Sequence, residues 1–208
     1  VYHTHFRRNY ALMYRIAIIT ASDKGARGER VDVSGQVIRE MCQEFATVTS
    51  YAVLADERAP LAAAMAAICD QDQADVIFTT GGTGFAPRDV TPEATLSVIQ
   101  RAVPGIPEAM RAESMRITQR GCLSRAVAGI RGNTLIVNLP GSEKASRENL
   151  GAVLGAIGHG LDMLCSQSSV DCTAPASGAT PPSVDTWLRE AKALEQAGKI
   201  GMYLLHNG

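Results

Sequence analysis

Glycine, arginine and aspartate crowd together at Gly81-Gly82-Thr83-Gly84 and Arg88-Asp89, directly after the apolar run Val76-Ile77-Phe78-Thr79-Thr80. Glycine lets backbone N–H groups approach an anion closely, and a helix N-terminus beyond it adds favourable partial charge. Asp89 can hold Mg2+ on a polyphosphate, and Arg88 can neutralise phosphate charge. No lysine follows the glycines, so the segment is not a GxxxxGKS/T phosphate loop, and it is not a GxGxxG fingerprint either. The same residues also suit a plain turn with a capping acid. Asn138-Leu139-Pro140-Gly141-Ser142 repeats the arrangement after another apolar run, with Lys144 one turn on. Ser22-Asp23 and Asp56-Glu57 follow two further runs. If these runs are parallel strands, Asp23, Asp56, Asp89 and Asn138 share one rim, where open α/β sheets place ligands. Carboxylates beside glycine-rich turns fit metal-assisted phosphoryl or nucleotidyl transfer. No Ser-His-Asp or Cys-His set stands at a suggestive spacing. His159, on an apolar glycine-rich stretch, reads as a core histidine.

The elements that must position these residues follow from the periodicity. Residues 15–20, 47–54, 76–80, 123–130 and 134–139 read as strands, the last two forming a hairpin about Arg131-Gly132-Asn133. Ser34 caps a helix bearing Val37, Ile38, Met41 and Phe45 on one face. Pro60 opens an alanine-rich helix, and Thr91-Pro92-Glu93 has the cap, first-turn proline and acid of a helix start. Helices are also expected over 107–116 and from Ser142 to about Cys165, the latter with Gly151, Gly155 and Gly158 spaced for close approach. This alternation gives an α/β fold with a mostly parallel sheet.

The chain has 208 residues, is 46% hydrophobic, and carries a net charge of −1. That is an ordinary globular composition with no global field to recruit nucleic acid or anionic lipid. Arg15 breaks the best apolar stretch, so no membrane span is expected. Five scattered cysteines without a CxxC pair read as reduced thiols in a cytoplasmic protein. Residues 1–12 read as an N-terminal extension or tag, with the domain over 13–167. Thirteen of the sixteen residues from 168 to 183 are Ser, Thr, Ala, Pro or Gly, the composition of a linker. Residues 184–208 read as the start of a second, truncated module.

The blocks Thr20-Ala21-Ser22-Asp23, TTGGTGFAPRDVTPEA over 79–94, LSRAVAGIRG over 123–132 and LIVNLPGS over 135–142 are collinear. Together they resemble the MogA/MoaB family of molybdenum-cofactor biosynthesis, which includes the G domain of gephyrin. The resemblance implies a three-layer molybdopterin-binding fold, usually trimeric, and molybdopterin adenylyltransferase activity with ATP and Mg2+. Asp89 and Asp56 match the two family acids tied to activity, which implies catalytic and metal-holding roles. Gly81, Gly82, Thr83, Gly84 and Arg88 would then bind phosphate, with Asn138, Pro140, Gly141 and Ser142 opposite and Asp23 as an outer contact. Contact with the molybdenum-inserting enzyme of the pathway is a further implication. A non-catalytic, MoaB-like binding or scaffolding module is the alternative. Two departures stand out: Ala55 replaces a family proline before Asp56, and Glu143 replaces the proline after Ser142. Residues 201–208 resemble the opening of a MoaE-like module.

Overall fold

The computed structural model describes residues 14–165. In chain order the elements are β1 (Tyr14–Ala21), α1 (Asp23–Ala26), α2 (Val33–Cys42), β2 (Ala46–Leu54), α3 (Arg58–Asp70) and β3 (Val76–Thr80). There follow α4 (Thr91–Leu96), β4 (Arg101–Ala102), α5 (Gly105–Ile117), a 3-10 turn (Gln119–Leu123), β5 (Ala128–Arg131), β6 (Thr134–Leu139) and α6 (Glu143–Cys165). The expected extension at 1–12, linker at 168–183 and module at 184–208 lie outside the described residues.

The six strands form one sheet in the order β2-β1-β3-β6-β5-β4. β2, β1, β3 and β6 run parallel; β5 is antiparallel to β6 and β4 antiparallel to β5. The continuous apolar character of β1, β3 and β6 has a direct cause: both faces of the sheet are covered. Ile16, Ile18, Val76, Phe78, Leu135 and Val137 point to a core shared with α2, α5 and α6 through Ile38, Met110 and Leu150. The alternate residues Ala17, Ile19, Ile77 and Ile136 point to a second core with Leu61 and Met65 of α3 and Ala94 of α4. Each fully buried Ile contributes about 1.5–3 kcal/mol, so the three layers anchor the strand ends firmly. From β1 the chain first adds β2 on one side, then crosses to β3 on the other. The carboxyl ends of β1 and β3 therefore flank a topological switch point, where a crevice opens.

Several local expectations are corrected by tertiary context. Asp32, not Ser34, caps α2: its carboxylate accepts the Gly35 N–H at 3.0 Å, and Ser34 donates its hydroxyl to the same oxygen at 3.0 Å. Thr91 is the first helical residue of α4, not its cap: Val90 holds the cap position, and the Thr91 hydroxyl accepts no backbone N–H. Pro60 is the third residue of α3, which starts at Arg58. The strand expected over 123–130 shrinks to Ala128–Arg131. Upstream of it the Arg125 N–H is turned to the Thr83 carbonyl at 2.9 Å, while Val127 stays tied to β6, accepting the Asn138 N–H at 3.0 Å and donating its own N–H to Asn138 Oδ1 at 3.3 Å. His159 is exposed. The buried face of α6 runs through Leu150, Val153, Ile157 and Leu161, and a residue two positions from Ile157 points the other way. Of the three α6 glycines expected at a close approach, Gly158 is buried, while Gly151 and Gly155 are exposed. Among the described residues, no helix is long and apolar enough to cross a membrane.

Candidate active site

A cleft of about 570 Å³ opens at the switch point. Its walls are the ends of β1 (Thr20 to Ser22) and β3 (Thr80 to Gly82), the segment Arg30 to Ser34, Asp56, Asp89, and the start of α6 (Gly141 to Glu143). The glycine turn is shaped by what presses on it. Gly81 and Gly82 have φ of 93° and 63°, in the left-handed region that side chains avoid. A Cβ on Gly81 would lie 2.3 Å from the Ala21 carbonyl oxygen, and one on Gly82 would lie 2.4 Å from Thr91 Oγ1 and 3.4 Å from Asp56 Oδ1. The N–H of Gly81 is spent on the Leu139 carbonyl at 3.2 Å. Among the described residues, nothing accepts from the N–H groups of Gly82, Thr83 or Gly84. Consecutive unpaired N–H groups in such a turn form an anion-binding concavity.

The second turn is pinned against the first. Pro140 offers its carbonyl to two hydroxyls, Thr80 at 2.7 Å and Ser146 at 2.5 Å. Gly141 then passes so close to the first turn that its Cβ would sit 3.0 Å from the Gly81 Cα. Ser142 caps α6 by accepting the Ala145 N–H at 3.3 Å. Two glycine turns that lie far apart in sequence thus make one wall.

The acids divide by environment. Asp56 Oδ2 accepts the Asp23 N–H at 2.8 Å, leaving Oδ1 uncommitted. Burial, together with the charges of Asp23 and Asp89, pushes the Asp56 carboxyl above the usual range, against the opposing effect of its hydrogen bond to Asp23. Asp89 closes its own turn, with Oδ2 accepting the Ala86 N–H at 2.8 Å. Asp23 is held below the usual range by the Arg88 guanidinium, which donates to both its oxygens at 3.0 and 2.6 Å. Asp32 also borders the cleft. Burial pushes it up, but hydrogen bonds from Thr20, Tyr51, Gly35 and Ser34 outweigh burial and hold it low. Those four donors saturate it, so Asp32 serves α2 and not a ligand.

Among the expected site residues, Gly81, Gly82, Asp56, Asp89, Gly141 and Ser142 come together on the cleft. Thr83, Gly84 and Pro140 adjoin those residues in sequence without lining the cleft. Arg88 and Asp23 lie outside it and are paired with each other. Asn138 is corrected outright. It is fully buried inside the sheet, donating to Thr79 Oγ1 at 2.9 Å and Thr95 Oγ1 at 2.8 Å, and its place in β6 turns it into the core rather than to the rim.

Two contributors go beyond the expected set. Arg125, inside the LSRAVAGIRG block, donates to the Gly84 carbonyl at 2.6 Å and to the Asp89 carbonyl, and pairs with Glu93. It straps the loop that carries Asp89, and an arginine following a 3-10 turn gives no sign of that in sequence. Arg30 is the one basic side chain along the cleft among the described residues.

The residues present fit a Mg2+ ion that arrives with phosphate. Such an ion is usually held by one or two carboxylates plus substrate phosphates and water, and Asp56 and Asp89 each keep one oxygen free on the cleft. The buried hydroxyl of Thr91, beside Gly82, has no partner among the described residues either. No group of three or more His, Cys, Asp or Glu side chains suited to a self-sufficient metal centre occurs among the described residues.

Residues 17–159 match the family described as a probable molybdopterin binding domain. The chain belongs to that family. A relative from Helicobacter pylori (strain J99), named molybdopterin adenylyltransferase, is 42% identical over 152 residues, covering 72% of this chain and 86% of its own. The Escherichia coli K12 protein of the same name is 36% identical over 148 residues, covering 70% and 76%. Among solved structures, the molybdopterin biosynthesis enzyme MoaB from Thermus thermophilus superposes with a TM-score of 0.70 at 46% identity, covering 73% of this chain and 96% of that one. The family's fold and the sheet described above are the same.

Proposed function

We propose that this chain is a molybdopterin adenylyltransferase of molybdenum-cofactor biosynthesis, transferring AMP from ATP to the terminal phosphate of molybdopterin. One observation carries the reading: Asp56, Asp89 and the unpaired Gly82 N–H meet in one cleft, in a chain whose relatives bear that name. An oxygen of the molybdopterin phosphate attacks the ATP α-phosphorus. The new P–O bond forms as the bond to the β-phosphate oxygen breaks, and pyrophosphate leaves. The attacking phosphate is already ionised, so the reaction needs no general base, and among the described residues no His, Cys or Lys lines the cleft. Catalysis therefore rests on positioning and charge neutralisation.

The glycine turn receives phosphate oxygen on its free N–H groups, and the start of α6, packed against it at Gly141, continues the same wall. Asp56 and Asp89 would hold Mg2+, which when bound would neutralise charge that builds on the reacting phosphates. The cleft itself is acidic, with Asp32, Asp56, Asp89 and Glu143 against Arg30. Carboxylates that line a cleft for two anionic substrates call for a cation, which Asp56 and Asp89 would hold. The family resemblance adds a cytoplasmic homotrimer and contact with the molybdenum-inserting enzyme to this reading.

Pyrophosphate release from ATP tests it. Release is expected to require both Mg2+ and molybdopterin and to be lost in Asp89→Ala while molybdopterin still binds. Release without molybdopterin, or an Asp89→Ala variant turning over normally, overturns the reaction assigned. Molybdopterin binding with no release at all makes the chain a binding module.

A further inference from the structure

Asp23 lies outside the cleft yet touches both acid-bearing loops. Its carboxylate accepts the Asp56 N–H at 3.0 Å, and its own N–H donates to Asp56 Oδ2 at 2.8 Å. From the other side, Arg88 grips it with two donors, at 3.0 and 2.6 Å, and lies a further 3.9 Å from Glu57. Arg88 is the residue immediately before Asp89. A continuous chain of contacts therefore runs from the Asp56 loop through Asp23 and Arg88 into the Asp89 loop. We propose that Asp23 and Arg88 form a latch that sets the spacing between Asp56 and Asp89, both acting as positioning residues and neither as a ligand of substrate.

The chemistry of the pair suits this task. A planar guanidinium that meets both oxygens of a carboxylate fixes angle as well as distance, which a lysine does not. Asp56 and Asp89 repel each other across the cleft, and two loops bearing like charges drift apart unless tied. The reciprocal bonds between Asp23 and Asp56 hold the Asp56 carboxylate by Oδ2, so that Oδ1 is the oxygen left toward Gly82. The donors of Arg88 that reach Asp23 are no longer aimed at a ligand, and neither residue borders the cleft. The pair is also exposed, with side-chain accessibilities of 56% for Arg88 and 30% for Asp23. An ion pair so placed contributes little to global stability, so its value lies in where it holds the loops.

The latch rests on the assignment of Asp56 and Asp89 made above, and the test separates the two. Calorimetry would measure binding of Mg2+ with α,β-methylene-ATP, which cannot be cleaved, to the full chain and to Asp23→Asn, Arg88→Gln and the double variant. Each single change is expected to raise Kd about tenfold, and the double change also about tenfold, because both break one link. Arg88→Lys should recover part of the loss. In turnover, kcat should fall while KM for molybdopterin stays within about twofold, with melting temperatures close to wild type. A double variant weakened about a hundredfold overturns the latch in favour of separate contacts to the nucleotide. Singles that bind as wild type overturn it too. The control is Asp56→Asn: if that variant binds normally, the assignment of the carboxylates falls and takes the latch with it. If it loses binding while Asp23→Asn does not, the latch alone falls.

Discussion

Replacing Arg125 by Met removes three interactions that converge on the Asp89 loop: donations to the Gly84 and Asp89 carbonyls and the pair with Glu93. The backbone bond from Arg125 N–H to Thr83 at 2.9 Å survives the change, so the segment stays docked and only the strap is cut. Hydrogen bonds from a charged donor contribute about 1.5–3 kcal/mol each. Here Arg125 and Glu93 side chains are 32% and 41% exposed, so water replaces part of what is lost. Taking the low end, and allowing for the shared geometry, the loop should lose about 2–4 kcal/mol of local stability. At about 1.4 kcal/mol per factor of ten, amide exchange over residues 84–91 should quicken by about 30- to 1000-fold. Exchange in β1 and β3 should change far less. Because a misplacement of about 1 Å costs roughly a hundredfold, turnover should fall by that order. Hydrogen exchange followed by mass spectrometry, run beside a pyrophosphate assay, reads both. Wild-type exchange over 84–91 together with wild-type turnover would refute the strap.

Two further outcomes are expected. The raised carboxyl of Asp56 means that the fold disfavours its charged form, a penalty that is absent below the carboxyl's unfolded pKa and sets in as pH rises through the folded value. Asp56→Asn, which keeps an acceptor for the Asp23 N–H, should therefore melt higher than wild type at about pH 7–8, lose that advantage in acid, and lack turnover; a lower melting point at neutral pH contradicts the assignment. Gly81→Ala combines a φ of 93° with a Cβ 2.3 Å from the Ala21 carbonyl, and should cost about 1–2 kcal/mol for conformation plus about 1–3 for crowding. Gly105→Ala, where nothing lies within 4 Å of the new Cβ, is the control, and equal urea midpoints for the two variants would defeat the argument.

The central strands are legible because burial on both faces leaves an unbroken apolar run. Val76–Thr80 and Thr134–Leu139 have the bounds that the sequence suggests. The two glycine turns are legible too, since the types that tolerate close backbone approach are few. What stays hidden depends on partners distant in sequence. Arg88 looks like a phosphate ligand until Asp23, 65 residues earlier, is found between its donors. Asn138 at a strand end reads as a rim residue, yet Thr79 and Thr95 satisfy it inside the core. Thr91 has every mark of a cap, yet Val90 takes that position and the Thr91 hydroxyl lies buried beside Gly82. The two-residue β4 is too short to leave any periodicity. For Arg88 and Asn138 alike, local propensity is outweighed by a tertiary hydrogen bond.

Asn138 has one more role to play. It stands directly opposite Thr79 in the β3–β6 pairing, with its amide saturated on one face of the sheet. If β6 slipped by one residue, that amide would leave Thr79 and Thr95 and turn to the opposite face, toward the core of Ile38, Phe78 and Leu150. The slip would also carry the end of the strand about 3.3 Å along its axis, and with it Pro140 and Gly141, away from Gly81. The buried amide is therefore a keying pin. By rejecting the wrong strand alignment during folding, it gauges the gap between the two glycine turns before any substrate arrives.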